Sequence, residues 1–233
     1  MNAGDAAEAA TSALDWWRLA GVDMVAADTP RNWLARAAAP PPPMVSPAEP
    51  ADSLPADLAA LRLALAALPV AGAGEERLMP EGDPAAGLML LLDMPDGDDA
   101  LEGRLLAGPA GRLLDRMLGA IGRDRASVYL ATILPARPAG GQLDRVDAAP
   151  AIRLAARHVA LAAPRALLLC GDGATRALLG TSMLAARGRI HKINHDGGTV
   201  PAIATFHPCR LLEQPAQKAG AWADLRLLLG EFG

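Results

Sequence analysis

The stretch Ala202-Ile203-Ala204-Thr205-Phe206-His207-Pro208-Cys209-Arg210-Leu211-Leu212 reads as a buried strand that delivers a histidine at its end and then stops at a proline. Open parallel α/β sheets bind ligands in the crevice outside the carboxyl ends of their strands. A histidine placed there can donate to a developing anion or move a proton near neutral pH. Histidines also end strands for purely structural reasons, so what the other strand ends carry decides its role.

Upstream, apolar runs alternate with segments of helical spacing. Leu88–Asp93 is a continuous apolar run ending in an acid, as expected of a strand covered on both faces. Val128–Leu134 is a second strand stopped by Pro135, and Ala166–Cys170 a third running into Gly171-Asp172-Gly173. Helices are expected over residues 55–68, 111–121, 150–163, 173–179 and 215–229, while 188–198 reads as a hairpin or an irregular loop. Four strands separated by helices imply a three-layer αβα fold around a mainly parallel sheet. Its strand ends are then Asp93, Thr132–Pro135, Gly171 and His207. A carboxylate and an imidazole converge on one edge, although such groups also cap helices and satisfy turns.

The sequence before this pattern is different in kind. Residues 11–27 have the spacing of a short amphipathic helix, and 39–55 form a Pro/Ala linker expected to be extended. The organisation expected is therefore a leader over 1–38, a linker over 39–55 and an α/β domain over 56–233. No apolar run approaches the roughly 18 residues of a membrane span. The acidic, alanine-rich start lacks the order of a signal peptide, which points to a soluble, cytoplasmic protein, with a monomer as the default expectation.

Composition narrows the chemistry. Aromatics make up 3% of the 233 residues, so the core must be aliphatic. The two cysteines, Cys170 and Cys209, cannot build a disulfide framework or a four-thiolate site. Cys170, inside an apolar run, reads as a small core residue, while Cys209, following His207-Pro208, either lines a site or packs, with packing favoured. Net charge is −4, yet residues 1–102 hold 17 of the 26 acids and only 5 of the 22 basic residues. From 151 to 195, Arg153, Arg157, Arg165, Arg176, Arg187, Arg189 and Lys192 face Asp172 alone. These bases are either solvated helix faces or a phosphate-binding surface. His158 and His195 read as surface histidines, and Trp222, in helical register with Leu225 and Leu229, as core.

Several segments together resemble the uracil-DNA glycosylase superfamily, particularly its family 4 branch. They are Gly108-Pro109-Ala110-Gly111-Arg112-Leu113-Leu114-Asp115-Arg116-Met117-Leu118, Val128-Tyr129-Leu130, Ala162 to Gly171, Arg187-Gly188-Arg189-Ile190-His191, and Phe206-His207-Pro208 with Leu211-Leu212 and Ala221 to Leu225. The resemblance implies an enzyme that flips a base out of DNA and breaks its N-glycosidic bond. It makes Asp93 and His207 the candidate catalytic residues. The base pocket falls at Pro95, Leu106 and Thr132, where the family carries a proline, a stacking aromatic and a uracil-reading asparagine. Leu211 and Leu212 correspond to a duplex wedge, and Arg187, Arg189 and Arg210 are candidate DNA contacts.

The chain departs from the family pattern at several positions. Leu92-Asp93-Met94-Pro95-Asp96 stands where the family has Gly-Glu-Ala/Gly-Pro-Gly, so a carboxylate survives and both glycines are replaced. Thr132 offers a hydroxyl in place of the paired donor and acceptor of an amide. The four cluster-binding cysteines of family 4 are absent, two of their positions falling at Ala136 and Ala151, so no iron–sulfur cluster and no other cofactor or metal is expected. Two readings follow: a DNA glycosylase of weak or altered base specificity, or an inert relative that binds DNA or a protein partner, for instance through the leader. Hydrolysis of a free nucleoside is a third, for which Leu211 and Leu212 would be dispensable.

Overall fold

Strands β1 (Leu88–Leu92), β2 (Tyr129–Thr132), β3 (Ala166–Cys170), β4 (Ile190–His195) and β5 (Gly198–Thr205) form one sheet in the order β2-β1-β3-β5-β4. They are seen in a computed structural model that describes residues 11, 12, 15, 16, 54–141, 148–195 and 197–230. The chain divides into two units, Met1–Ala51 and Asp52–Gly233. Of the first, only Thr11, Ser12, Asp15 and Trp16 are described, all helical. The expectations for the rest of the leader and for most of the linker lie outside the described residues.

Within the second unit the helices are α1 (Leu58–Ala67), α2 (Asp99–Glu102), α3 (Pro109–Ala120), α4 (Ala149–Ala162), α5 (Asp172–Leu179), α6 (Met183–Ala186), α7 (Pro208–Glu213) and α8 (Lys218–Gly230). Their ends follow from local chemistry. Asp57 caps α1 by accepting from the Ala60 N–H at 2.8 Å. Pro109 opens α3, where its missing N–H costs nothing. Pro164 follows α4, whose last turn closes on Ala163 in the left-handed region (φ 42°).

The parallel strands are buried on both faces, and their alternation divides the core in two. Leu88, Leu90, Leu92, Leu168, Cys170 and Ile203 pack with Leu114 and Leu118 of α3 and Leu225 and Leu228 of α8. The intervening residues Met89, Leu91, Leu167, Leu169 and Ala202 pack with Ala151, Ala155 and Val159 of α4 and Ala174 of α5. This is the expected three-layer αβα architecture.

The sheet has five strands where four were expected. Residues 190–195 form an antiparallel edge strand on β5, paired from Ile190–Ile203 to His195–Gly198. Its exposure alternates residue by residue because only one face is covered. That alternation, with polar residues at every second position, hides the strand from a search for continuous apolar runs. Pro201 is tolerated in β5 because pairing with β3 begins only at Ala202. At the other edge, Glu81 exchanges backbone hydrogen bonds with Leu130 (2.9 and 2.8 Å) and covers β2.

Two side chains depart from expectation. Trp222 is 42% exposed, because Ala221, Asp224, Leu225 and Leu228 occupy the inner face of α8. His158 is 1% exposed and accepts or donates a 2.8 Å bond with the Tyr129 hydroxyl, so it is no surface residue. Its position in register with Ala151 and Ala155 carries it onto the buried face of α4.

Burial lowers the His158 pKa from 6.5 to about 4, with the nearby Arg62 adding to the effect. Its Nδ1 is buried without a partner among the described residues. The folded ring therefore resists a proton that the unfolded chain accepts. Stability is complete above pH 6.5 and falls as pH drops towards about 4. The loss from this group is expected to be roughly 3 kcal/mol. Urea unfolding across that window should show the slope, and His158→Gln should flatten it; an unchanged slope in the variant would assign the acid sensitivity elsewhere.

Candidate active site

Thr132, Leu92, Cys170 and Thr205 stand in one row across the four parallel strands. Asp93 and His207 come one and two residues beyond that row, on the carboxyl edge of the sheet. The topology thus brings together the two groups that the strand ends were expected to supply.

Asp93 is half-buried and aimed at the start of α5. Its carboxylate accepts from the N–H groups of Gly173 (3.0 Å) and Ala174 (2.5 Å). A Cβ on Gly173 would lie 2.6 Å from the Asp93 carboxyl carbon, so only glycine allows this approach. Burial holds the Asp93 carboxyl above its ordinary value, and the two amides, with His207 nearby, offset part of that rise. The group is a helix cap as well as a strand-end acid. Each oxygen retains lone-pair capacity for a further donor.

His207 is half-buried and precedes α7. Its Nδ1 accepts from the Cys209 N–H at 3.3 Å. A neutral imidazole with Nδ1 as acceptor carries its proton on Nε2. The local fold therefore sets the ring as a donor. Pro208 at the first helical position holds the short turn that closes this bond.

The base-pocket candidates are all buried or enclosed. Thr132 ends β2 on the α3/α8 side of the sheet, and Leu106 packs in the same cluster as Leu92 and Cys170. Leu106 adopts φ 48°, a conformation costly for a leucine. Arg125 holds it there by donating to the carbonyls of Leu105 (2.9 Å) and Leu106 (2.5 Å). Gly111 lets the loop close, since a Cβ there would sit 1.6 Å from the Leu106 oxygen. The Pro95 carbonyl accepts from Arg137 at 3.3 Å.

Beside them lies a cleft of about 370 Å³ whose walls include Asp96, Asp98, Arg137, Cys209, Leu212 and Glu213. Asp99 shapes one wall by accepting from the N–H groups of Asp96 (2.8 Å) and Ala107 (2.9 Å). The Cys209 thiol donates to Asp96 Oδ2 at 2.9 Å. Burial and the Asp96 carboxylate push that thiol well above the usual range, whereas burial alone carries most of the rise of Cys170 to about 12. A larger cleft of about 580 Å³ between α1 and α4 contains none of the strand-end groups.

The candidate DNA contacts separate into inner and outer residues. Leu211 is 1% exposed and packs with Phe206, Ala221 and Met183, so its side chain belongs to the core and only Leu212, 41% exposed, faces outward. The helical turn of α7 explains this, because adjacent residues point about 100° apart. Arg187 is half-buried and turned inward: it binds the fully buried Asp224 through Nε (3.1 Å) and Nη2 (3.0 Å) and lies 4.4 Å over the Phe206 ring. Arg189 and Arg210 are exposed, the first bonded to the Ala185 carbonyl and the second paired with Glu213 at 3.3 Å.

The four-cysteine cluster of family 4 does not fit this chain. Ala136 and Ala151, at two of its positions, are buried apolar side chains, and the two thiols lie on β3 and after His207.

A model of the uracil DNA glycosylase superfamily matches residues 79–226, which span β1 to α8 and every strand-end residue above. This chain belongs to the uracil DNA glycosylase superfamily. Curated relatives are type-4 uracil-DNA glycosylases. That of Pyrobaculum aerophilum is 23% identical over 157 residues, covering 64% of this chain and 80% of the relative. That of Archaeoglobus fulgidus is 25% identical over 152 residues, covering 62% and 76%. The contact between Cys209 and Asp96 was not expected from the sequence, where Cys209 was favoured as a packing residue. The spacing His207-Pro208-Cys209 was the available signal, but the partner 113 residues away became visible only in the fold.

Proposed function

We propose that this chain is a DNA N-glycosylase of the cytoplasm, with a base preference altered from uracil. The observation that carries the reading is the His207 ring, set by the Cys209 N–H to present Nε2–H at the carboxyl edge of the sheet. Cleavage of an N-glycosidic bond sends the bonding pair onto the departing base while the sugar becomes oxocarbenium-like. A fixed N–H aimed at a base oxygen stabilises the charge as it forms. Water then adds to the sugar carbon and releases a proton. Asp93, held in place by the α5 amides, supplies the carboxylate that orients this water and favours the cationic sugar.

The pocket residues support a changed preference. Thr132 has one hydroxyl where reading uracil's edge calls for a paired donor and acceptor. A site that loses such pairing can lose roughly 10⁴-fold or more in discrimination. Leu106 offers apolar contact without an aromatic face. Leu212 is the exposed leucine available to enter a duplex, and Arg189 and Arg210 are the exposed bases for phosphate.

The reading of an inert DNA-binding relative is favoured by one observation, the Asp96 carboxylate and Cys209 thiol that meet beside His207. Excision from labelled oligonucleotides carrying uracil, hypoxanthine, xanthine or a mismatch separates the two. The glycosylase reading expects release of at least one of these bases, lost in both His207→Ala and Asp93→Ala. Salt-sensitive binding with no release from any substrate would leave the inert relative.

A further inference from the structure

We infer that Asp96, His207 and Cys209 form a binding site for a thiophilic divalent cation, zinc above all. One oxygen, one ring nitrogen and one sulfur from these residues all lie within 4.8 Å of one another, the sole such grouping among the described residues. Tetrahedral zinc, with bonds of roughly 2.0–2.3 Å, holds its ligand atoms about 3.3–3.8 Å apart. Movement of about 1 Å in side chains at the margin of the cleft closes that difference. Asp96 and Cys209 are already in contact, at 2.9 Å, through a proton placed between sulfur and oxygen. His207 and Cys209 are tied by the 3.3 Å bond across a single turn. The three ligands are therefore brought together before any ion arrives.

The donor types select the metal. Thiolate with imidazole and carboxylate suits zinc, and is a poor match for magnesium or calcium, which take oxygen ligands. Binding replaces two contacts: the Cys209 S–H bond breaks, its proton passes to solvent and a sulfur–zinc bond forms. The Nδ1 lone pair of His207 exchanges the Cys209 N–H for the ion, and Nε2 keeps its proton. Three protein ligands leave a fourth position, which opens on the 370 Å³ cleft bordered by Asp96 and Cys209. Asp98 and Glu213 also border that cleft, against the single basic side chain of Arg137. Carboxylates around a concave wall raise the local concentration of cations.

The site shares His207 with the chemistry proposed above, but metal binding is read without substrate. Absence of excision would leave a zinc result standing, and absence of zinc would leave an excision result standing. The full-length protein, stripped with chelator, is titrated with cobalt and then with zinc. One equivalent should bind, with a thiolate-to-cobalt charge-transfer band and release of a proton on zinc binding. Cys209→Ala should abolish the band and weaken zinc more than about 100-fold, since even an outer-shell change costs 10–100-fold. Asp96→Asn should weaken zinc without abolishing the band, and Cys170→Ala should change neither. A wild-type protein that shows no charge-transfer band, or a Cys209→Ala protein that binds zinc as tightly as wild type, would overturn the site.

Discussion

Replacing His207 with alanine is expected to reduce base excision by about 100- to 1,000-fold, the usual cost of losing one preorganised donor to a transition-state anion. The size of the effect follows from how little else can substitute. Thr132 is buried in the row behind the edge, Leu106 is buried in the loop before α3, and Asp93 is an acceptor whose oxygens already hold two amides. Nε2–H is the donor the local fold sets for this task. Folding should change little, because His207 contributes one cap interaction to a six-residue helix, worth about 1 kcal/mol. Thermal melting alongside single-turnover excision separates the two effects. Full activity in His207→Ala would end the proposed role. His207→Asn, which keeps an acceptor for the Cys209 N–H, should recover the melting temperature without recovering the rate.

Asp224→Ala is expected to destabilise the domain by about 3–5 kcal/mol, the cost of breaking a buried ion pair from one side. Asp224 has no exposed surface and gathers four donors: Nε and Nη2 of Arg187, the Thr205 hydroxyl at 3.0 Å and the Gly188 N–H at 3.2 Å. Removing it strands a guanidinium that lies over Phe206, the residue preceding His207. Gly220 adds to the tightness, since a Cβ there would come within 2.5 Å of Arg187. Urea unfolding at neutral pH measures the loss. A change below about 1 kcal/mol would mean that Arg187 finds water or another acceptor, and that the knot joining β5, α6 and α8 is replaceable.

Both predictions depend on side chains whose roles were read unequally well from sequence. His207 was legible because an apolar run ends on it and a proline follows, a pattern that exists within one segment. Arg187 was read as a candidate DNA contact because its charge is visible in the sequence, while its partner Asp224, 37 residues away, is not. Leu211 and Leu212 likewise look alike in sequence until the turn of α7 sends Leu211 inward. Trp222 and His158 exchanged places, the expected core residue lying outward and the expected surface residue inward. For His158 the buried neighbours Ala151 and Ala155 on the same helix face held the answer, whereas for Trp222 the buried Leu225 three residues on pointed the wrong way.

Chain periodicity by itself determined the parallel strands, the helices between them and the placement of Asp93 and His207 at strand ends. These follow from local burial, and local burial leaves its period in the residues. Tertiary structure alone decided what those groups touch: the α5 amides that hold Asp93, the Cys209 N–H that sets the His207 tautomer, and the Asp96 carboxylate that meets a thiol 113 residues later. Hydrogen-bond partners, ligand distances and buried charge pairs depend on angles and on separations of a few tenths of an ångström, and no spacing along a chain carries that information.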